Sequence, residues 1–234
     1  MTISLVIPFY NEKEILADTA AKCLELQKKL PCLEEIIFVD DGSLDGGAEC
    51  LFELAVKLVS YPKNKGKGYA VRRGILASAG DVVLYTDCDL AYGLDVVEEA
   101  VTMLVDQKAD IVCGSRRIAA GGYSAYPPVR RIASAGFAFL VRSTLGLGVS
   151  DTQCGFKCLA GEKARALFSS CVTDGFSFDL EVLGRAQKSG MKIVELPVEV
   201  QRHGQSKVRI FKDSLHMARE VFAIRRIIKS RRFL

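Results

Sequence analysis

Asp87 and Asp89, one residue apart, follow the apolar run Val82-Val83-Leu84-Tyr85-Thr86. Two carboxylates there offer hard oxygen ligands for Mg²⁺ or Mn²⁺, and a cation between them would neutralise a diphosphate that the acids alone repel. The same pattern also suits a solvated turn. A second acidic pair, Asp40 and Asp41, follows Phe38-Val39 and precedes Gly42, Ser43 and Asp45. Ser43 or Asp45 can cap a helix, but capping does not require Asp40 and Asp41 together. Ionised, both are pure acceptors, suited to a base N–H or a ribose hydroxyl. Pro8-Phe9-Tyr10-Asn11-Glu12 follows a third apolar run, and Tyr10 brings a ring that can stack on a base or simply pack.

Three polar tips after three apolar runs need a framework that gathers strand ends. The first hundred or so residues alternate short apolar runs with helix-length amphipathic segments, the pattern of βα units in a mostly parallel sheet. The pattern predicts strands at 3–7, 35–39, 81–86 and 110–113, and helices at 12–30, 46–59, 68–79 and 95–107, with Asp95 as a cap. Right-handed crossovers would then bring the strand ends to one crevice. Beyond Gly114, Gly121-Gly122 and Pro127-Pro128 bound a loop long enough to be a lid, followed by an arginine-studded helix at 129–145. A strand at 156–159, helices at 161–168 and 179–189, a strand at 192–200, a mobile connector at 202–207 and a closing helix at 211–229 complete the expectation.

The 234 residues, 49% hydrophobic and 26% charged, suit one large compact domain. No stretch approaches eighteen uncharged apolar residues and the first residues lack the features of a signal peptide, so a cytoplasmic location is expected. Eight cysteines without a CxxC pair favour neither a zinc site nor a disulfide framework. Residues 202–234 hold ten Lys or Arg against Asp213 and Glu220, a net +8, while residues 1–201 carry −4. The tail therefore seeks something acidic.

Asn64-Lys65-Gly66-Lys67-Gly68 lacks the spacing and the Lys-Ser/Thr ending of a P-loop, which excludes an ATPase reading. Its glycines either let the backbone approach a ligand or form a flexible basic turn.

Taken together, IPFYNE, VDDGS, NKGKGYAVRRG, the Asp87/Asp89 pair and DTQCGFK resemble the family 2 glycosyltransferases with a GT-A fold, over Ile3 to about Lys207. Within them the motifs are most similar to the dolichyl- or polyprenyl-phosphate hexosyltransferases, on the glucosyl side. The resemblance implies a Rossmann-like α/β fold with a mostly parallel central sheet flanked by helices, and inverting transfer of a hexose from a nucleoside diphosphate sugar, UDP-glucose first among them. It implies that Pro8, Tyr10, Glu12, Val39, Asp40 and Asp41 line the nucleoside pocket, that Lys67 faces the donor, and that Asp87 and Asp89 frame the metal and diphosphate. It also sets Asp151 over the donor pocket, as the candidate base or else a turn cap, with Asp89 beside it in the catalytic set. Asp179 is a cap or a second acid facing the acceptor. Some relatives carry a metal-binding glutamine just after the acidic pair; this chain has Leu90-Ala91, which implies a thinner metal shell.

Arg116, Arg117, Arg130, Arg131 and Arg142, with His203, Ser206, Lys207 and Arg209 on the later connector, can bind a second phosphate carried by the acceptor. Arg117, Arg131 and Lys207 are expected to hold that phosphate. A lipid phosphate has a second pKa of about 6 and is already an oxyanion near neutrality, whereas a sugar hydroxyl needs a base worth about 10² to 10⁴ in rate. The reading is a catalytic domain at 1–207 and a basic amphipathic helix at 208–234, whose stripe of Phe211, Leu215, Ala218, Val221, Phe222, Ile224 and Ile228 packs on the domain or meets a membrane surface. Peripheral membrane association and action on polyprenyl or dolichyl phosphate follow as expectations. The rivals are a soluble glycosyltransferase extending a glycan, and a non-catalytic module binding anionic lipid or nucleic acid. The acidic crevice argues against nucleic acid.

Overall fold

A computed structural model describes residues 1–121, 128–201 and 210–230, with the side chains at 128–130, 132–133 and 210–218 left aside. In chain order the elements are β1 (Ile3–Phe9), α1 (Lys13–Lys29), β2 (Leu33–Asp40), a 3₁₀ turn (Gly47–Leu51), β3 (Lys57–Ser60), α2 (Lys67–Ala77), β4 (Val82–Tyr85), α3 (Val96–Asp106) and β5 (Ile111–Ser115). There follow α4 (Pro128–Leu145), β6 (Lys157–Ala160), α5 (Gly161–Ser170), α6 (Phe178–Lys188), β7 (Ile193–Pro197) and α7 (Ile210–Ser230).

Strong apolar runs without alternation mark strands covered on both faces, and the strands divide their side chains accordingly. Ile3, Leu5, Ile7, Phe38, Leu84 and Cys158 pack on one side with Leu16 and Ala20 of α1 and Val97 and Leu104 of α3. Val6, Ile37, Val39, Val83, Tyr85 and Leu159 pack on the other with Val71 and Ile75 of α2, Val141 of α4, Leu167 of α5, Leu183 of α6 and Ile224 of α7. The two cores follow from the period of two along each strand.

The seven strands lie in the order β3-β2-β1-β4-β6-β5-β7. β6 alone is antiparallel, inserted between β4 and β5; the sheet is otherwise parallel. The chain builds outward from β1 through β2 to β3, then returns to place β4 on the other side of β1. This reversal opens a crevice at the carboxyl ends of β1 and β4, where ligands of such sheets collect.

One expected element is replaced. The helix expected at 46–59 is instead the 3₁₀ turn and the edge strand β3, paired in parallel with Ile37–Asp40 of β2. A helix over that whole stretch would leave the outer edge of β2 without a hydrogen-bonding neighbour, and completing the sheet outweighs the local helical pattern. Asp95 occupies the N-cap position of α3 but makes no side-chain capping bond. The lid residues 122–127 and the connector 202–209 lie outside the described residues.

Candidate active site

The ends of β1 and β2 are tied by reciprocal bonds. The Asn11 amide donates to Ser43 Oγ (3.0 Å), Leu44 N–H to Asn11 Oδ1 (2.9 Å) and Lys13 N–H to Asp45 Oδ2 (2.9 Å). Asn11 adopts φ +53°, one of the few non-glycine residues that tolerate this readily. Ser43 and Asp45 thus staple two strand ends together, and Asp45 also receives the Gly47 N–H. Pro8 and Val39 are register partners at the mouth of this crevice. Tyr10 stands 39% exposed beside them, and Glu12 precedes α1 without capping it.

The acidic pair divides its labour. Asp41, buried, accepts four hydrogen bonds: from Tyr61 Oη (2.8 Å), Asn64 Nδ2 (2.9 Å), Lys65 N–H (2.8 Å) and Gly66 N–H (2.9 Å). It is the clasp of the 64–66 loop. Asp40 spends one oxygen on Ser43 N–H (2.8 Å) and so retains the greater capacity to accept from a ligand. The same bonds change the reading of the glycine loop. Its Lys65 and Gly66 amides point to Asp41, and the Tyr69 amide at the start of α2 donates to Asp174 O (3.2 Å). These amides serve the loop's own structure, and the side chain the loop turns toward the acidic pair is Lys67. Gly66, at φ +101°, is pressed so close to Asp174 that a Cβ would come within 2.5 Å of that carbonyl oxygen.

Lys67 forms an ion pair with Asp87 at the end of β4. Asp89 accepts the Ala91 N–H (3.1 Å), and burial, then the charge of Asp87, raises its pKa above the ordinary carboxylate value. Among the described residues no group of three or more His, Cys, Asp or Glu is gathered to hold a metal ion. Asp87 and Asp89 nevertheless fit one: they are hard oxygen donors whose mutual repulsion a divalent cation would relieve, with ligand and water oxygens completing the shell.

Asp151 is buried (4% exposed) and gripped by Arg116, with Nε–Oδ2 2.7 Å and Nη2–Oδ1 2.9 Å, plus the Arg116 amide at 3.1 Å. Burial pushes its carboxyl up, but the Arg116 bonds and charge outweigh this and hold it below the usual range. Glu195 of β7 fixes the turn from behind by accepting Ser150 N–H (3.0 Å) and Ser150 Oγ–H (2.6 Å). Asp179 is likewise paired: it meets Lys157 Nζ at 2.7 Å and receives the Tyr85 hydroxyl at 2.6 Å, all three side chains being buried. It makes no cap for α6. Arg117 donates to Ser134 O (2.9 Å) and Oγ (3.2 Å) on α4, whereas Arg131 is exposed. Lys207, with His203, Ser206 and Arg209, lies outside the described residues, as does the side chain of Arg130.

Sequence reasoning missed three contributors. Tyr61 and Asn64 complete the Asp41 clasp and carry no local signal of it. Gly155 passes so near Asp87 that a Cβ would overlap its carboxylate. Lys157, a charge at the head of a buried strand, is a clue the sequence carries to a buried ion pair.

Two surface cavities of about 280 and 340 Å³, one by Gln187 and Met191 and the other by Gly184 and Arg225, share no residue with the Asp87–Asp89 turn.

Residues 4–166 match the family model described as Glycosyl transferase family 2. The dolichyl-phosphate beta-glucosyltransferase of Dictyostelium discoideum is 33% identical over 240 residues, 95% of this chain and 73% of that protein. That of Homo sapiens is 35% identical over 246 residues, 95% of this chain and 74% of that protein. In fold the chain is similar to mannosyl-3-phosphoglycerate synthase from Rubrobacter xylanophilus, with TM-score 0.73 and 22% identity over 100% of this chain and 76% of that one. It is also similar to glucosyl-3-phosphoglycerate synthase from Mycobacterium tuberculosis in complex with Mn²⁺, UDP-glucose and phosphoglyceric acid, with TM-score 0.72 and 20% identity over 97% and 79%. The crevice at the reversal of the sheet, the motifs that line it and the match over most of its length agree: this chain belongs to the family 2 glycosyltransferases and has their GT-A fold.

Proposed function

We propose that the protein transfers glucose from UDP-glucose to a dolichyl or polyprenyl phosphate, with inversion and with Mg²⁺ or Mn²⁺ held by Asp87 and Asp89. The observation that carries the acceptor class is the pairing of both downstream acids: Asp151 with Arg116, Asp179 with Lys157. A carboxylate clamped by a guanidinium and lowered in pKa is a poor proton acceptor. A phosphate acceptor needs none, being ionised near neutrality with a second pKa of about 6. The names of the relatives, dolichyl-phosphate beta-glucosyltransferases, support the same acceptor and sugar.

Pro8, Tyr10, Val39 and Asp40 would seat the nucleoside, with Glu12 at the rim and Asp41 acting through the loop it fastens. Lys67 would meet the diphosphate, and the bound cation would supply charge neutralisation to the departing diphosphate. An acceptor phosphate oxygen attacks C1 on the face opposite the diphosphate; the new O–C1 bond forms as the old C1–O bond breaks, so one displacement inverts the centre. Arg117, Arg131 and Lys207 are proposed to hold the incoming phosphate. Aligning two anions and screening their repulsion is then the main task of the site. The basic helix α7 is proposed to keep the enzyme at the membrane surface; among the described residues no helix is long and apolar enough to cross one.

The test is transfer of radiolabelled glucose from UDP-glucose to polyprenyl phosphate, with polyprenol and a soluble glycan as comparison acceptors. Labelling of the phosphate alone is expected. Labelling only of a hydroxyl acceptor overturns the proposal.

A further inference from the structure

The ion pair of Lys67 with Asp87 differs in kind from its neighbours. Lys157 and Asp179 are sealed, at 0% and 4% side-chain exposure, but Lys67 and Asp87 keep 21% and 32% and form part of the cleft surface. The backbone on either side of Lys67 is tied down. Asp41 holds the Lys65 and Gly66 amides, Gly66 abuts the Asp174 carbonyl, and Gly68 abuts Phe178 and Thr173. On the other side, Gly155 lies against the Asp87 carboxylate. Side-chain rotation of Lys67 opens the pair without moving the backbone.

We infer that Lys67 is a resident counter-cation of Asp87, which a divalent cation must displace, and that the donor diphosphate makes the displacement favourable by receiving the lysine. The inference rests on the proposed use of a nucleoside diphosphate sugar with a divalent cation. With Lys67 in place, Asp87 and Asp89 together present one net negative charge to a cation; with Lys67 removed they present two. Asp179, within electrostatic reach of Lys67, already has a charge partner in Lys157, whose Nζ meets Oδ1 together with the Tyr85 hydroxyl. A bound diphosphate offers the lysine a new anion of higher charge than either carboxylate. Cation and nucleotide therefore bind with positive coupling, and by reciprocity each tightens the other equally.

The experiment titrates the full chain with Mn²⁺, reading free Mn²⁺ by electron paramagnetic resonance, with and without saturating UDP, for wild type, Lys67→Met and Lys67→Arg. Wild type is expected to bind Mn²⁺ weakly alone and on the order of tenfold or more tightly with UDP. Lys67→Met should bind Mn²⁺ alone about tenfold more tightly than wild type and lose most of the coupling to UDP. Lys67→Arg, which keeps the charge, should bind Mn²⁺ alone as weakly as wild type, separating charge from packing. Unchanged or weaker Mn²⁺ binding by Lys67→Met, with a wild-type circular dichroism spectrum, overturns the inference while leaving the proposed donor intact. A wild-type chain that binds neither UDP nor Mn²⁺ together overturns both.

Discussion

Gly155 lies directly against the carboxylate of Asp87, so close that no side chain fits between them. Gly155 belongs to the turn before β6, and Asp87 lies two residues beyond β4, the strand with which β6 pairs antiparallel. The inserted strand therefore brings the 151–155 turn down onto the acidic pair.

Gly155→Ala should displace Asp87 without unmaking the sheet. Overpacking at such a contact typically costs about 1–3 kcal/mol, a modest fall in Tm. The larger effect is expected on binding: isothermal titration calorimetry should show UDP with Mn²⁺ bound at least about tenfold more weakly. Retained affinity would mean that the position of Asp87 is not what the site depends on.

Asp41→Asn should loosen the clasp of the 64–66 loop. One of its two oxygens becomes an NH₂ facing two donors, and each buried polar group left unsatisfied costs about 1–3 kcal/mol. Thermal melts should show a clear loss, and donor affinity should fall with it because Lys67 is carried by that loop. Asp40→Asn keeps a carbonyl oxygen for the Ser43 N–H, so it should weaken nucleotide binding with much less effect on Tm.

How far these features were legible in the sequence depends on how local their causes are. The strand ends bearing Tyr10, Asp40 and Asp87 were readable because the apolar runs before them are forced into a sheet by burial on both faces. The antiparallel placement of β6 and the edge strand β3 were not, because both satisfy pairing needs of distant strands. For the same reason the sequence marked Asp151 and Asp179 as acids but not as acids already neutralised: Arg116 stands 35 positions from Asp151, and Lys157 meets Asp179 only after β6 and α6 pack. Asp41, read as a ligand for the nucleoside, has its four bonds to Tyr61, Asn64, Lys65 and Gly66, all from the crossover beyond the strand.

Acidification should destabilise the fold through the carboxylates held below their ordinary range. Glu35 is opposed by burial but lowered by Ser4, Ala79 and Lys57; Asp110 likewise by Lys163 and Lys192; Asp151 likewise by Arg116. Each is depressed in the folded state, so each contributes stability that is fully present above its unfolded pKa, about 4, and is lost as pH falls through the lower folded value. Urea midpoints should be flat from pH 7 to 5 and then drop toward pH 3. A midpoint that rises on acidification would contradict these pairings.

Asp151→Asn tests whether that residue is a base. The substitution removes the charge facing the Arg116 guanidinium, and breaking a largely buried pair from one side is strongly destabilising, on the order of 3 kcal/mol. If Asp151 only holds Arg116 and the turn, the variant should lose turnover without any change in the shape of its pH–rate profile. A rate restored by raising pH, as hydroxide replaces a missing base, would identify a hydroxyl acceptor instead.

The last helix should bind an anionic surface through one face while the other belongs to the core. Val221 and Ile224 are buried, Ile228 packs on Gly184, and Glu220 receives the Ser177 hydroxyl at 2.6 Å. Phe222 is half exposed, and Arg225 and Arg226 are exposed beside it. Deleting the end of α7 would therefore strip the core as well as the basic face, and a loss of membrane binding could not be assigned. Arg225→Ala with Arg226→Ala leaves the buried side intact. At roughly 1 kcal/mol per basic residue near an anionic surface, the double variant should partition about thirtyfold less onto phosphatidylserine vesicles in a flotation assay. Tm should be unchanged, and neutral vesicles should not discriminate the two proteins. Equal flotation of both on anionic vesicles would remove these arginines from the membrane contact.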